Sequence, residues 1–241
     1  MDYKQEIIEQ ANQQENYEVC GFGILGRDKK IKITQVENKA KDPKKDFSIN
    51  PSDFVKARLR GRILFFYHSH PFTPEYPTEK DIKSSENCKI PCLIYSRFSG
   101  AFYLYIPDSY KINNKLVERP WIDDFYECTT LVQDFYCLNY GLKRNKFMHN
   151  HIFDKNNMVF DDKIKNMFEE VSDGGFKYGD LLVFRIVNQN YYHFGIYYGN
   201  GAFLHHPQNM FSEKTELNTS WQRRLCNIYR LKDCEKGNIT W

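Results

Sequence analysis

Two histidines one residue apart, His68 and His70, close the apolar run Ile63-Leu64-Phe65-Phe66-Tyr67, and Asp81 follows after ten more residues. Side chains alternate along a strand, so imidazoles at i and i+2 share a face. Two imidazoles and one carboxylate leave the fourth tetrahedral position open, the arrangement of a catalytic rather than a structural zinc. Such an ion lowers the pKa of its water toward about 7 and polarises a carbonyl. The general base this chemistry needs is expected at Glu18, just before the strand-like stretch 19–25. Plainer readings compete. Thr78-Glu79-Lys80-Asp81 is also a helix-capping pattern, and a single strand-end glutamate is usually solvated. The chain supplies its own control, since His149-Asn150-His151 and Asp162 repeat the spacing in a polar segment with no strand leading in. That second set reads as surface loop.

A second group could do thiol chemistry. Cys128 falls in the first turn of a helix expected over 125–138, where the positive end of the helix dipole favours a thiolate. By composition alone it is one of seven cysteines, a small buried hydrophobe. His193 opens the strand-like run Phe194-Gly195-Ile196-Tyr197-Tyr198, and His205 and His206 lie on the returning strand. A two-residue Asn200-Gly201 turn would pair Tyr198 with Phe203 and put His206 on the face of His193. A three-residue loop, Gly199-Asn200-Gly201, would pair Tyr198 with Ala202 and put His205 there instead, leaving His206 on the opposite face and tolerant of substitution. One residue of slip exchanges them, and local sequence does not choose.

The elements that must position these groups fall into two sets. The first half reads as a helix over 2–15, strands at 19–25 and 31–36, a helix from Pro51 to Gly61, a strand at 62–67, a short helix from Thr78, and strands at 92–96 and 101–106. The polar stretch Asp108–Pro120 reads as a linker. Beyond it come a helix capped by Asp123 or Asp124, a second helix over 163–171, then strands at 181–187, 191–198, 202–206 and 227–231. The expected fold class is therefore α+β in two domains, 1–107 and 121–241, mixed sheet first and helix-then-antiparallel-sheet second. With 241 residues, 16% of them aromatic, both cores can be filled. A net charge of +3 from interspersed signs is no nucleic-acid footprint, and no apolar run approaches a membrane span of about 18 residues. The seven cysteines form no CxxC pair, and the first residues lack a signal pattern, so a reducing compartment is expected.

Glu18-Val19-Cys20-Gly21, Asn38, His68-Ser69-His70-Pro71 and Thr78-x-x-Asp81 together resemble the JAMM metallopeptidases. The resemblance covers about residues 1–107 and departs at Thr78, where that family usually carries Ser. It implies one zinc held by His68, His70 and Asp81, Glu18 as base, and Ser69 helping to stabilise the oxyanion. Phe125-Tyr126-Glu127-Cys128-Thr129-Thr130-Leu131-Val132, Gly179-Asp180-Leu181-Leu182-Val183-Phe184 and the run from His193 to His205 resemble the NlpC-type cysteine peptidases, papain-like enzymes that cut peptide stems of peptidoglycan. This second likeness covers about residues 120–231, with Glu127 where the family has Asp and Thr129-Thr130 where it has Ser-Gly. It implies Cys128 as nucleophile, His193 as base and His205 as the orienting residue.

Both domains in one chain of this length resemble the K-type tail assembly family of lambda-like phages. That resemblance implies a two-site hydrolase, a thiol peptidase plus a zinc metallopeptidase, with peptidoglycan stem peptides and phage tail-tip proteins as partners. The host cytoplasm during assembly is the implied location, with the virion tail tip as a second. The alternatives are a non-catalytic assembly chaperone or adaptor, and a cytoplasmic deconjugase of small protein modifiers.

Overall fold

The computed structural model describes residues 2–112, 114–123, 125–142, 167–172, 175–186 and 191–232. The chain divides into two compact units, 1–111 and 112–241.

Unit 1 runs α1 (Tyr3–Gln13), β1 (Cys20–Leu25), β2 (Ile31–Val36), α2 (Pro51–Arg60), β3 (Arg62–His70), α3 (Glu79–Cys88), β4 (Cys92–Ser96) and β5 (Phe102–Tyr105). The sheet order is β2-β1-β3-β4-β5, antiparallel throughout except for β3 and β4, which pair in parallel and need the α3 crossover. Alternation along β3 sorts its side chains. Phe65 and Tyr67 face α1, where Tyr3 packs on Phe65 and Gln10 accepts from the Tyr67 hydroxyl. Phe66 and His68 face the other way, into a core with Phe22, Phe47, Ala57 and Cys92. Gly23 on β1 is there because the Phe65 ring occupies its side-chain space; a Cβ would lie 2.2 Å from that ring. α2 begins as its sequence dictates, with Asn50 accepting from the Ser52 N–H and Pro51 in the first turn. β3 runs on through both histidines rather than ending at Tyr67, because β4 continues to pair with it, His68 opposite Ile94 and His70 opposite Ser96.

Unit 2 runs α4 (Cys128–Tyr140), β6 (Phe168–Glu170), β7 (Leu181–Ile186), β8 (Tyr191–Gly199), β9 (Ala202–His205), β10 (Glu213–Glu216), α5 (Thr219–Gln222) and β11 (Leu225–Leu231). Its sheet order is β10-β9-β8-β7-β11-β6, antiparallel throughout. The α+β class holds, a mixed-sheet unit preceding a helix-and-antiparallel-sheet unit. One sheet face buries Leu181, Val183, Phe194, Ile196 and Leu204 against Leu131, Val132, Phe135 and Tyr136 of α4. The other buries Leu182, Phe184, Phe203 and Ile228, with Trp221 of α5 packed on them.

Several expectations change here. Of the helix expected over 163–171, Met167 is helical, but Phe168–Glu170 form β6 on the free edge of β11. Residues 163–166 lie outside the described residues, as do His149, His151, Asp162 and Asp124. Asp123 does not cap α4, which begins three residues later than expected. The chain first makes a tight turn closed by an Ile122–Tyr126 bridge, and Glu127 becomes the N-cap. The segment read as a linker is divided between the units. Asp108 and Ser109 donate to Glu86 in unit 1, while Glu118 and Arg119 bond to Ser212 and Arg119 pairs with Asp134 in unit 2.

Candidate functional sites

In unit 1 the ligand-type atoms of His68, His70 and Asp81 lie within 4.8 Å of one another, and all three residues are buried. Nε2 of His68 is 3.0 Å from Nε2 of His70 and 3.3 Å from Oδ1 of Asp81. The outer nitrogens are engaged behind the cluster: His70 Nδ1 lies 2.7 Å from the Pro74 carbonyl and His68 Nδ1 lies 3.6 Å from the Cys92 sulfur. A backbone carbonyl only accepts, so His70 carries its proton on Nδ1 and turns the Nε2 lone pair inward, as a metal ligand requires. Phe47 stacks on the His68 ring at 4.2 Å.

Asp81 serves two purposes at once. Its Oδ2 accepts from the Thr78 N–H and hydroxyl, each at 2.8 Å, while Oδ1 faces His68. The capping reading and the ligand reading of Thr78-x-x-Asp81 are therefore compatible. Burial works against the Asp81 charge, but bonds from His68 and His70 outweigh it and hold the carboxyl well below its usual range. Burial lowers His68. At His70 burial is outweighed by Asp81 and the Pro74 carbonyl, and the pKa rises. Glu18 is pushed up to about 8, mainly by burial and further by Asp81, with His70 opposing.

Asn38 holds the Glu18 backbone in place. Its amide donates to the Glu18 and Asp46 carbonyls at 2.9 Å each, and its oxygen accepts from Ala40 and Ser48. Ser69 is placed apart from the cluster. Strand alternation turns its side chain away from the imidazoles, and its Oγ accepts from the Val19 N–H at 3.0 Å. It ties β3 to the chain beside Glu18 and does not enter the cluster. Cys92 and Phe47 went unread because only the β3–β4 register and the 38–48 loop bring them to His68.

In unit 2, Cys128 is the first residue of α4, half-buried. The departures at Glu127, Thr129 and Thr130 rebuild the helix start. The Glu127 N–H donates to Thr130 Oγ1 at 3.0 Å, and Thr129 Oγ1 donates to the Glu127 carboxylate at 2.6 Å. Sixty-five residues of chain later, Nε2 of His193 meets Nδ1 of His205 at 2.9 Å. Trp221 covers both rings, at 5.8 and 5.0 Å, and Phe203 stacks on His205 at 4.5 Å.

The hairpin reaches this pairing by neither expected route. Asn200 and Gly201 form a two-residue turn with φ of 52° and 69°, and Gly199 pairs with Ala202. Tyr198 is then left out as a bulge, the register shifts by one, and Gly195 falls opposite His205. His205 therefore shares the face of His193, while His206 points to the other. His206 is not a surface residue, however: it is fully buried against Trp121, with Nε2 3.2 Å from the Met210 carbonyl. Burial lowers the pKa of His193, with His205 and His206 adding to it, and brings His205 and His206 to about 4. The structure thus brings two of three expected residues together. Cys128 begins a helix that packs against β8 and β9, but against their alternate residues Phe194, Ile196 and Leu204.

Residues 2–113 match the family of prokaryotic homologs of the JAB domain, and residues 118–230 match the NlpC/P60 family. This chain is a JAB-like domain followed by an NlpC/P60 domain. It is 25% identical to Tail tip assembly protein K of Escherichia phage N15, over 92% of this chain and 90% of that one. It is 24% identical to Tail tip assembly protein K of Escherichia phage lambda, over 76% and 88% respectively. A solved NlpC/P60 family protein from Bacillus cereus ATCC 10987 aligns with 94% of this chain and 66% of its own, at 14% identity and a TM-score of 0.32. No described helix is long and apolar enough to cross a membrane.

Proposed function

We propose that this chain acts in phage tail-tip assembly in the host cytoplasm and carries a cysteine peptidase site for peptidoglycan stem peptides in its NlpC/P60 domain. Two tail tip assembly relatives aligned over most of their length support the first part. The buried His193–His205 pair, on strands packed by the helix that Cys128 opens, carries the second. In this reading His193 takes the proton of the Cys128 thiol, the sulfur attacks the peptide carbonyl, and the amine leaves with that proton. Water then releases the acyl group. His205 holds the imidazole of His193 in place.

The JAB-like domain, in the same proposal, holds zinc through His68, His70 and Asp81. The donor set fits: two inward Nε2 atoms and one carboxylate oxygen, buried together. Zinc held there would supply Lewis-acid polarisation of a carbonyl. Glu18, near neutral in pKa and tied down by Asn38, is suited to carry the proton between attack and departure.

Digestion of purified sacculi by the wild type, Cys128→Ala and His68→Ala, with fragments read by mass spectrometry, tests both sites. Stem-peptide fragments absent only from Cys128→Ala are expected. Equal fragments from all three would sink the cysteine reading. A second reading, an assembly adaptor without turnover, is favoured by one observation: α4 packs on the strand residues that alternate with the histidines. Inert sacculi with all three proteins would favour it.

A further inference from the structure

β10 lies beside β9 at the edge of the unit 2 sheet, with Glu213 directly opposite His205. Opposite residues of an antiparallel pair present their side chains on the same face. Oε1 of Glu213 lies 3.4 Å from Nε2 of His205, whose Nδ1 is the atom that meets His193. A carboxylate, an imidazole and a second imidazole therefore stand in line.

His205 is 1% exposed and its Nε2 has no hydrogen-bond partner in its present alignment. The glutamate side chain is about half exposed, at 49%, so its terminal torsion is free to turn an oxygen onto that nitrogen. A buried ring N–H left without a partner is destabilising, which favours closing this contact. Burial keeps His205 neutral at ordinary pH, so one ring nitrogen carries the proton and the other a lone pair. Two orders of protons are then possible. In one, His205 donates from Nε2 to Glu213 and accepts at Nδ1 from His193 Nε2–H. In the other, His205 donates to His193 and turns its Nε2 lone pair on the carboxylate, which is repulsive.

We propose that Glu213 is a positioning residue that fixes the direction of the His205–His193 hydrogen bond and so leaves His193 Nδ1 as the bare nitrogen. Its use as a base rests on the cysteine peptidase reading above; the direction of the bond does not. A His193 with its proton on Nδ1 could not accept one from a thiol. The groups facing His205 are His193 from β8, Glu213 from β10, Phe203 from its own strand and Trp221 from α5.

Ring-nitrogen NMR of the histidine-labelled full chain reads the proton positions directly. Wild type should show His205 protonated at Nε2 and His193 protonated at Nε2. Glu213→Ala should lose that single tautomer at His205, while Glu216→Ala, which removes a like charge from the opposite face of the same strand, should keep it. Alkylation of Cys128 by iodoacetamide, followed by peptide mass spectrometry across pH, is the second readout. Glu213→Ala should slow it at least about tenfold at neutral pH, the direction expected when a catalytic histidine is left in the wrong tautomer. Unchanged ring-nitrogen signals in Glu213→Ala would overturn the proposal. A tautomer lost in Glu213→Ala, with Cys128 alkylated equally in wild type and His193→Ala, would support the lock and defeat the peptidase reading alone.

Discussion

That His68 and His70 share a face was legible from spacing, because a strand fixes which side chains stand together, while choosing them with Asp81 over the second HxH set took the family resemblance. What spacing could not show is the second ring nitrogen of each histidine. The Pro74 carbonyl and the Cys92 sulfur reach His70 and His68 through folding, from a loop and a parallel strand. For the same reason Ser69, between two ligand-type residues in sequence, points away from both in space. At this scale the zinc proposal makes a sharp prediction. Metal analysis of the purified chain should find one zinc, lost in His70→Ala and retained in His151→Ala and Glu18→Gln. Equal loss in the first two would overturn the choice between the HxH sets; zinc released by Glu18→Gln would make Glu18 a ligand instead of a base.

Among the elements, the hairpin shows how far local sequence reaches. Gly199-Asn200-Gly201 announced a turn, and the turn is there, but the register was decided by Tyr198, which nothing local marks as a bulge. Deleting Tyr198 should make a regular two-residue hairpin with Tyr197 still opposite Phe203 and Gly195 still opposite His205, so the His193–His205 bond should survive in ring-nitrogen NMR. A bond lost on deletion would mean that the bulge also aims the two imidazoles at each other. β10 was unreadable for a different reason: Glu213-Lys214-Thr215-Glu216 has no apolar alternation, since its role is to cover an edge. β6 was missed at the end of the expected 163–171 helix because three residues on a sheet edge leave no period to detect. α3 was legible from its cap. Thr78→Ala removes two of the bonds that hold that cap, and should cost about 1 kcal/mol of unit 1 stability in chemical denaturation. A loss under a few tenths would mean that the Thr78 backbone bond to Asp81 suffices.

For the whole molecule, the two units were foreseeable from motifs complete on either side of a polar stretch, though not where that stretch would attach. Limited proteolysis should cut first near residues 110–114, between the Glu86 bonds of unit 1 and the Lys115–Arg119 bonds of unit 2. First cuts inside either unit would contradict the division. The units should also differ in acid. His193, His205 and His206 are all held below the ordinary histidine pKa of about 6.5 by burial in unit 2. Between about pH 4 and 6.5 the unfolded chain binds protons that the folded one refuses, so stability rises with pH there and levels off above. Each histidine contributes a slope of up to about 1.4 kcal/mol per pH unit within that window. Trp121 packs on His206 and Trp221 on His193 and His205, so tryptophan fluorescence follows the unfolding of this unit. A tryptophan unfolding midpoint flat from pH 5 to 7 would show that these rings are not buried neutral.

The attachment of the chain where it enters unit 2 has a mechanical side. Glu118 and Arg119 pair with Ser212 through backbone and hydroxyl bonds, and the Arg119 guanidinium is anchored on Asp134 of α4. A pull transmitted along the chain from unit 1 meets this joint first. The load passes to Ser212, the residue next to Glu213, and through Asp134 to the helix that Cys128 begins. Tension on the connector would therefore be felt at α4 and at β10 before it loosened the sheet between them.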